Sequence, residues 1–179
     1  MTVTETFIEG LRVLAPKFFE DARGVFFKTL HKEEFIKLNL PLDWREEYFS
    51  VSHKNVIRGM HFQVPPEEHC KMVSCLIGSV LDVVIDLRKS SDTFGKIFAT
   101  ELNEMNRKVL IIPKGCAHGF LSLQDNSLMF YKVSSIYNPE CDMGIRWNSI
   151  DFEWPTNKPI VSLRDEQHLD FKEFNSPFN

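Results

Sequence analysis

The chain has 179 residues, of which 43% are hydrophobic and 12% aromatic, with 16 phenylalanines, enough to bury a sizeable core. A formal net charge of −4 argues against a general nucleic-acid binder, which needs a basic surface. No apolar window reaches bilayer length and the start, Met1-Thr2-Val3-Thr4-Glu5, lacks a basic-then-apolar signal pattern, so one cytoplasmic domain over 1–179 is expected, with no membrane partner.

Along the chain, Phe18, Phe19, Phe26 and Phe27 crowd an N-terminal segment, 1–50, that a small domain would struggle to bury alone. Lys32 to Leu38 reads as one short helix. Lys71 to Ile77 is a strand, and Gly78-Ser79 offers a hairpin turn into Leu81–Arg88. In that second run Leu81, Val83, Ile85 and Leu87 share one face, with Asp82, Asp86 and Arg88 on the other. Val109 to Ile112 ends at Pro113-Lys114-Gly115, Ser127 to Val133 is a further apolar run, and Asp165 to Phe174 carries at most two helical turns. Many short strands punctuated by Gly, Pro, Asn and Asp, without repeat or linker, predict an all-β sandwich or jelly-roll barrel with a few short helices. Charge on the second face of several strands predicts a ligand inside.

Two segments stand out. Arg58-Gly59-Met60-His61-Phe62-Gln63 and Pro113-Lys114-Gly115-Cys116-Ala117-His118-Gly119-Phe120 each set a histidine beside glycine and an aromatic ring. Histidine is the side chain best poised to move protons near neutral pH. Taken alone, either could be a core histidine satisfied by a backbone carbonyl. Arg58 and Lys71, however, sit in apolar, strand-like surroundings where an unpaired cation is costly, so each calls for an anion unless it is a surface charge at a strand end. Cys70, Cys75, Cys116 and Cys141 show no CxxC spacing, and reduced thiols are expected. Pro113-x-Gly115-x-x-His118 looks like the second motif of the cupin superfamily. The first cupin motif supplies a His-x-His pair and a Glu, but here Phe62 and Gln63 follow His61. The eight-residue spacing of His53, His61 and His69 is no ligand pattern, so no metal and no other cofactor is expected.

In order, Phe19-x-Asp21-x-Arg23-Gly24-x-Phe26, Ser50-x-Ser52, Arg58 to Gln63, Pro65-Pro66, Lys71-Met72-Val73, Asp82-x-x-x-Asp86-Leu87-Arg88, Ser91-x-x-Phe94-Gly95, Ile112-Pro113-x-Gly115-x-Ala117-His118-Gly119-Phe120, Tyr131-Lys132, Tyr137-x-Pro139, Trp154-Pro155 and Ser162-x-x-Asp165 run over nearly the whole chain. This ordered set resembles the dTDP-4-dehydrorhamnose 3,5-epimerase family. The resemblance implies a cupin jelly roll, usually a metal-free homodimer, and epimerisation beside the C4 ketone of a nucleotide-linked sugar. It implies His61 as the base, Asp165 as its carboxylate partner, Lys71 as the stabiliser of the enolate and Tyr131 as the acid on the far face. Arg58 and Arg23 resemble pyrophosphate-binding residues, His118 lines the sugar pocket, and Tyr137 stacks on the base. Phe19 and Phe26 lie in the segment that such a dimer exchanges.

Four positions depart from the family pattern. Lys28 stands for a common Glu, and Glu46 and Tyr48 for Gln-x-Asn, in segments that the resemblance implies contact the nucleoside; His69 stands for a Gln two residues before Lys71. A carboxylate at Glu46 matches the N1–H and exocyclic amine of guanine better than thymine, with one N–H between two carbonyls. A GDP-linked 4-keto hexose or heptose is therefore weighed beside a dTDP-linked one. The competing readings are a 3,4-ketoisomerase on the same barrel, for which the chain is long and Tyr131 out of place, and a non-catalytic sugar-binding cupin, for which His61, Lys71 and Tyr131 need not have been kept. A metal-dependent dioxygenase lacks its ligands.

Overall fold

A computed structural model describes residues 1–179. A six-stranded sheet takes β1 (Thr2–Glu5), β2 (Arg12–Ala15), β5 (Glu46–Ser52), β7 (Lys71–Ile77), β10 (Val109–Ile112) and β12 (Ser127–Val133) in the order β1-β2-β10-β7-β12-β5. A five-stranded sheet takes β6 (Ile57–Gln63), β8 (Ser79–Asp86), β9 (Ile97–Asn103), β11 (Cys116–Ser122) and β13 (Asp142–Gly144) in the order β13-β6-β11-β8-β9. The pair β3 (Phe18–Asp21) and β4 (Gly24–Phe27) forms a separate hairpin. The helices α1 (Lys32–Lys37) and α2 (Leu163–Glu166) are short. All pairings within the sheets are antiparallel, and the two sheets close as the jelly roll that the strand spacing predicts.

The period-2 pattern explains three apolar layers. Val73, Cys75, Val80, Val84, Leu110, Phe120 and Met129 fill the space between the sheets. On the outer side of the five-stranded sheet, Val83, Ile85, Ala117 and Leu121 bury under Ile150, Trp154 and Phe178 of the C-terminal segment. Outside the six-stranded sheet, Met72, Ile111 and Phe130 pack on Phe35 of α1. Both faces of the central strands are therefore covered, and Asp82 and Asp86 are as buried as Val83 and Ile85.

Three expectations need correcting. Gly78-Ser79 is not a hairpin turn within one sheet: β7 pairs with β10 and β12, while β8 pairs with β11 and β9. Gly78, at φ +77°, turns the chain from one sheet to the other, and a Cβ there would run into Ser127. The turn or two of helix expected over Asp165 to Phe174 is a single four-residue turn that lies earlier, α2, ending at Glu166. The strand read as Leu81–Arg88 runs instead from Ser79 to Asp86, and Arg88 folds back on Asp86 through a two-pronged ion pair.

One irregularity sets up the site. In the β6–β11 ladder His61 faces His118 and Arg58 faces Phe120, so three steps on β6 span two on β11. The extra residue lies at Gly59, at φ +141°, where a Cβ would sit 2.5 Å from the Cα of Gly119. Only paired glycines let the strands approach so closely. Strict alternation would put Arg58 and His61 on opposite faces. With the bulge, both line the same cavity.

Candidate active site

The cavity between the sheets has a volume of about 390 Å³. His61, Arg58 and Gln63 enter from β6 and His118 and Phe120 from β11; Lys71 comes from β7, Tyr131 from β12, and Glu46, Tyr48 and Ser50 from β5. The histidines and Arg58 thus belong to the five-stranded sheet, and Lys71 and the tyrosines to the six-stranded one.

His61 is held by a carboxylate. Its Nε2 lies 2.8 Å from Asp165 Oδ1, and the other carboxylate oxygen accepts the Gly59 N–H at 3.1 Å. Ser162 caps α2 by accepting the Asp165 N–H through its Oγ, which seats that carboxylate at the start of the helix. Burial opposes the charge on Asp165, but the imidazoles of His168 and His61 outweigh it and hold the carboxyl well below its usual range. Burial pushes His61 down while Asp165 pulls it up; the net direction is down, favouring the neutral ring. With Nε2–H donated to Asp165, Nδ1 is the nitrogen left with a lone pair.

Lys71 is buried, and its Nζ donates to the His61 carbonyl at 3.0 Å. Burial pulls it down to about 8 against the raising charges of Asp142 and Asp82. Beneath it His118 Nε2 lies 2.8 Å from Asp82 Oδ2, both groups buried. On the opposite wall Tyr131 OH is 3.2 Å from Ser50 Oγ, and burial raises its hydroxyl far above the ordinary phenol range. Tyr48 stacks on Tyr131 with ring centroids 4.7 Å apart; burial, then the charges of Glu46 and Asp142, push it up to about 12.

Arg58 stands exposed at the mouth, steadied by Ser52 Oγ at 3.0 Å and the Val51 carbonyl at 3.2 Å. Its guanidinium has no carboxylate partner there, which suits an anionic ligand. Glu46 Oε1 accepts the Tyr137 N–H at 3.0 Å, which brings an exposed aromatic ring to the same rim. His69 also lines the cavity, bonded through Nδ1 to Ser135 Oγ at 3.1 Å, and burial drives it down to about 3, so it is neutral. His53 lies elsewhere, exposed beside Asp125.

Arg23, Phe19, Phe26 and Lys28 are not brought to this cavity within one chain. Arg23 is 90% exposed and ion-paired with Asp21 at the tip of the β3–β4 hairpin. Phe19, Phe26 and Lys28 line a second groove with Met1, Lys17, His31 and Glu34. Conversely, sequence reasoning gave no role to Asp82, Asp142, Arg164 or Gln63, all at or beside the cavity. Asp82 was legible as a carboxylate amid apolar residues. The pair Arg164–Asp142, 2.8 Å apart, joins α2 to β13 and has no signal in the sequence.

A half-buried histidine on a buried carboxylate, a buried ammonium beside it and a tyrosine hydroxyl across a polar cavity suit proton transfer, on a cupin-type barrel. The dTDP-4-dehydrorhamnose 3,5-epimerase family model matches residues 5–173. The chain is 41% identical over 171 residues to the dTDP-4-dehydrorhamnose 3,5-epimerase of Escherichia coli K12, covering 93% of this chain and 92% of that one. It is 34% identical over 165 residues to the dTDP-4-dehydrorhamnose 3-epimerase of Streptomyces niveus, covering 90% and 80%. A solved Legionella pneumophila dTDP-6-deoxy-D-glucose-3,5-epimerase, in complex with dTDP-4-keto-L-rhamnose, superposes with TM-score 0.92 at 30% identity, over 97% of this chain and 94% of that one. The chain belongs to the dTDP-4-dehydrorhamnose 3,5-epimerase family and is an isomerase of the nucleotide-sugar epimerase class.

Proposed function

We propose that the protein inverts C3, C5 or both in a nucleotide-linked 4-keto-6-deoxy sugar, for cell-surface polysaccharide synthesis in the cytoplasm. The observation that carries this reading is the placement of the His61–Asp165 pair and Tyr131 on opposite sheets, facing one cavity. The C4 ketone acidifies the neighbouring C–H bonds. His61 Nδ1 takes a proton, with Asp165 holding the ring and stabilising its charged form, and the electrons move to the ketone oxygen as an enolate. Lys71 donates to that oxygen, above the His118–Asp82 pair. Tyr131 then delivers a proton to the other face of the carbon, and inversion results. A positioned base or acid supplies roughly 10²–10⁴-fold each. Arg58 binds the diphosphate, and Tyr137 covers the nucleobase.

The relatives named above act on or hold dTDP-sugars, and thymine is the first reading for the base. A second reading, guanine on a hexose or heptose, is favoured by Glu46. One of its oxygens is engaged by the Tyr137 N–H, and the other can accept from a guanine N–H. Phe18, Phe19 and Phe26 are half or more exposed on the β3–β4 hairpin. Such a patch supports a homodimer in which the hairpin, with Arg23 and Lys28, completes the partner's nucleotide site.

The test is proton NMR in D₂O with dTDP- and GDP-linked 4-keto-6-deoxy sugars. Deuterium entering C3 or C5 with the ketone still at C4 supports epimerisation, and the preferred nucleotide identifies the base. A carbonyl that migrates to C3 means ketoisomerase. No exchange with hexose or heptose substrates overturns the reading.

A further inference from the structure

His168 is a second imidazole on the carboxylate of the His61–Asp165 pair. Its Nε2 lies 3.7 Å from Asp165 Oδ1, the same oxygen that lies 2.8 Å from His61 Nε2. The His168 side chain is 15% exposed, and its Nε2 is buried with no hydrogen-bond partner. Gly144 makes room for it, because a Cβ there would collide with that ring. A buried, unpartnered ring nitrogen aimed at a carboxylate that already has an imidazole partner is costly unless it serves a ligand.

We propose that His61, Asp165 and His168 form an inhibitory site for a divalent metal ion of the zinc, cobalt and nickel class. Two imidazoles and one carboxylate are the donor set such ions favour. Each of the three residues offers one ligand atom, and these atoms all lie within 4.8 Å of one another. The two Nε2 atoms lie 2.8 and 3.7 Å from the same Asp165 oxygen, bracketing the separation of about 3.4 Å between ligand atoms that tetrahedral zinc bonds of roughly 2.0–2.2 Å produce. A shift of a few tenths of an ångström closes the site.

The inhibition follows from the tautomer, and it rests on the proposed role of His61 as base. In the metal-free pair the proton sits on Nε2 and the Nδ1 lone pair is free. A neutral imidazole that ligates through Nε2 must carry its proton on Nδ1. The proton is therefore relocated through solvent, no net proton is lost, and the nitrogen proposed to take the substrate's proton can no longer accept one. The metal acts as a removable lock on the base and takes no part in the reaction.

The test uses the full chain after treatment with a chelator, titrated with Co²⁺ and, in competition, with Zn²⁺. One equivalent of cobalt giving the visible absorption bands of a low-coordinate nitrogen–oxygen site is expected. His168→Ala should weaken metal binding at least tenfold, and His168→Gln, which keeps a polar chain of similar reach, should do the same. Circular dichroism confirms that both variants fold. Zinc should stop solvent exchange of a turned-over substrate, EDTA should restore it, and the inhibiting concentration should rise at least tenfold in His168→Ala relative to that variant's own metal-free rate. No binding up to millimolar metal, equal binding by the His168 variants, or binding without inhibition would each overturn the proposal. Should the wild-type chain turn over none of the sugars, the epimerase reading fails, and the cobalt titration still decides whether the site exists.

Discussion

Tyr48 lies flat against Tyr131: the two rings are opposed in the β5–β12 ladder, with centroids 4.7 Å apart and planes 15° from parallel. The stack and the Ser50 contact fix the direction in which the Tyr131 hydroxyl points. Where family members commonly carry Asn, this chain has therefore pinned the hydroxyl proposed as its proton donor. Tyr48→Asn should change the ratio of deuterium incorporated at C3 and C5 by about tenfold, the scale of roughly 1.4 kcal/mol in a barrier, while Tyr48→Phe keeps it. Proton NMR of the product formed in D₂O reads both. An unchanged ratio in Tyr48→Asn would show that the stack does not steer delivery.

Removing the carboxylate charge separates orientation from binding. Asp165→Asn leaves a side chain of the same size but no longer favours the Nε2–H tautomer or the imidazolium of His61. The rate of exchange should fall by roughly 10²–10⁴-fold, with nucleotide affinity by calorimetry within about twofold of wild type. His61→Ala should abolish exchange, and Tyr131→Phe should spare proton removal more than inversion.

An alkaline limit is expected from Lys71, the proposed enolate stabiliser. Its ammonium ionises near pH 8 in the folded chain because burial disfavours the charge, so turnover should decline as pH rises through that value. Stability moves the other way. The folded pKa lies below the unfolded one, so between about pH 8 and 10.5 the unfolded chain holds the extra proton, and this group's contribution to folding becomes more favourable as pH rises. Lys71→Met should remove both dependences, seen as a flatter alkaline arm in the rate profile and in urea midpoints.

Much of this was legible from residue order. The strands, the inner histidines and the buried Lys71 follow from alternation and from charge in apolar runs. The His61–Asp165 pair was reachable only through the family resemblance, because 104 residues separate the partners and no local pattern links them. The crossing at Gly78 is hidden in the sequence because a glycine-serine pair suits a tight hairpin and a change of sheet equally well. The common facing of Arg58 and His61 was hidden because it depends on a bulge, and a bulge is a property of two strands together.

That bulge gives a stability test. Gly59→Ala would place a methyl against the Gly119 backbone at a φ of +141°. It should cost about 3 kcal/mol or more, measured as a lower urea midpoint. Gly24→Ala, at φ +113° in the open hairpin tip with nothing within 4 Å, should cost less, since strain there is not joined by a clash.

The change of sheet at Gly78 means that no single sheet owns the chemistry. His61, the proposed base, belongs to one half of the sandwich and Tyr131, the proposed acid, to the other, so a molten or half-docked chain, however rich in strand, does not hold the two against each other. Catalysis therefore reports on the closing of the whole sandwich. In a denaturant titration, turnover should vanish with the docking of the two halves, before strand content is lost.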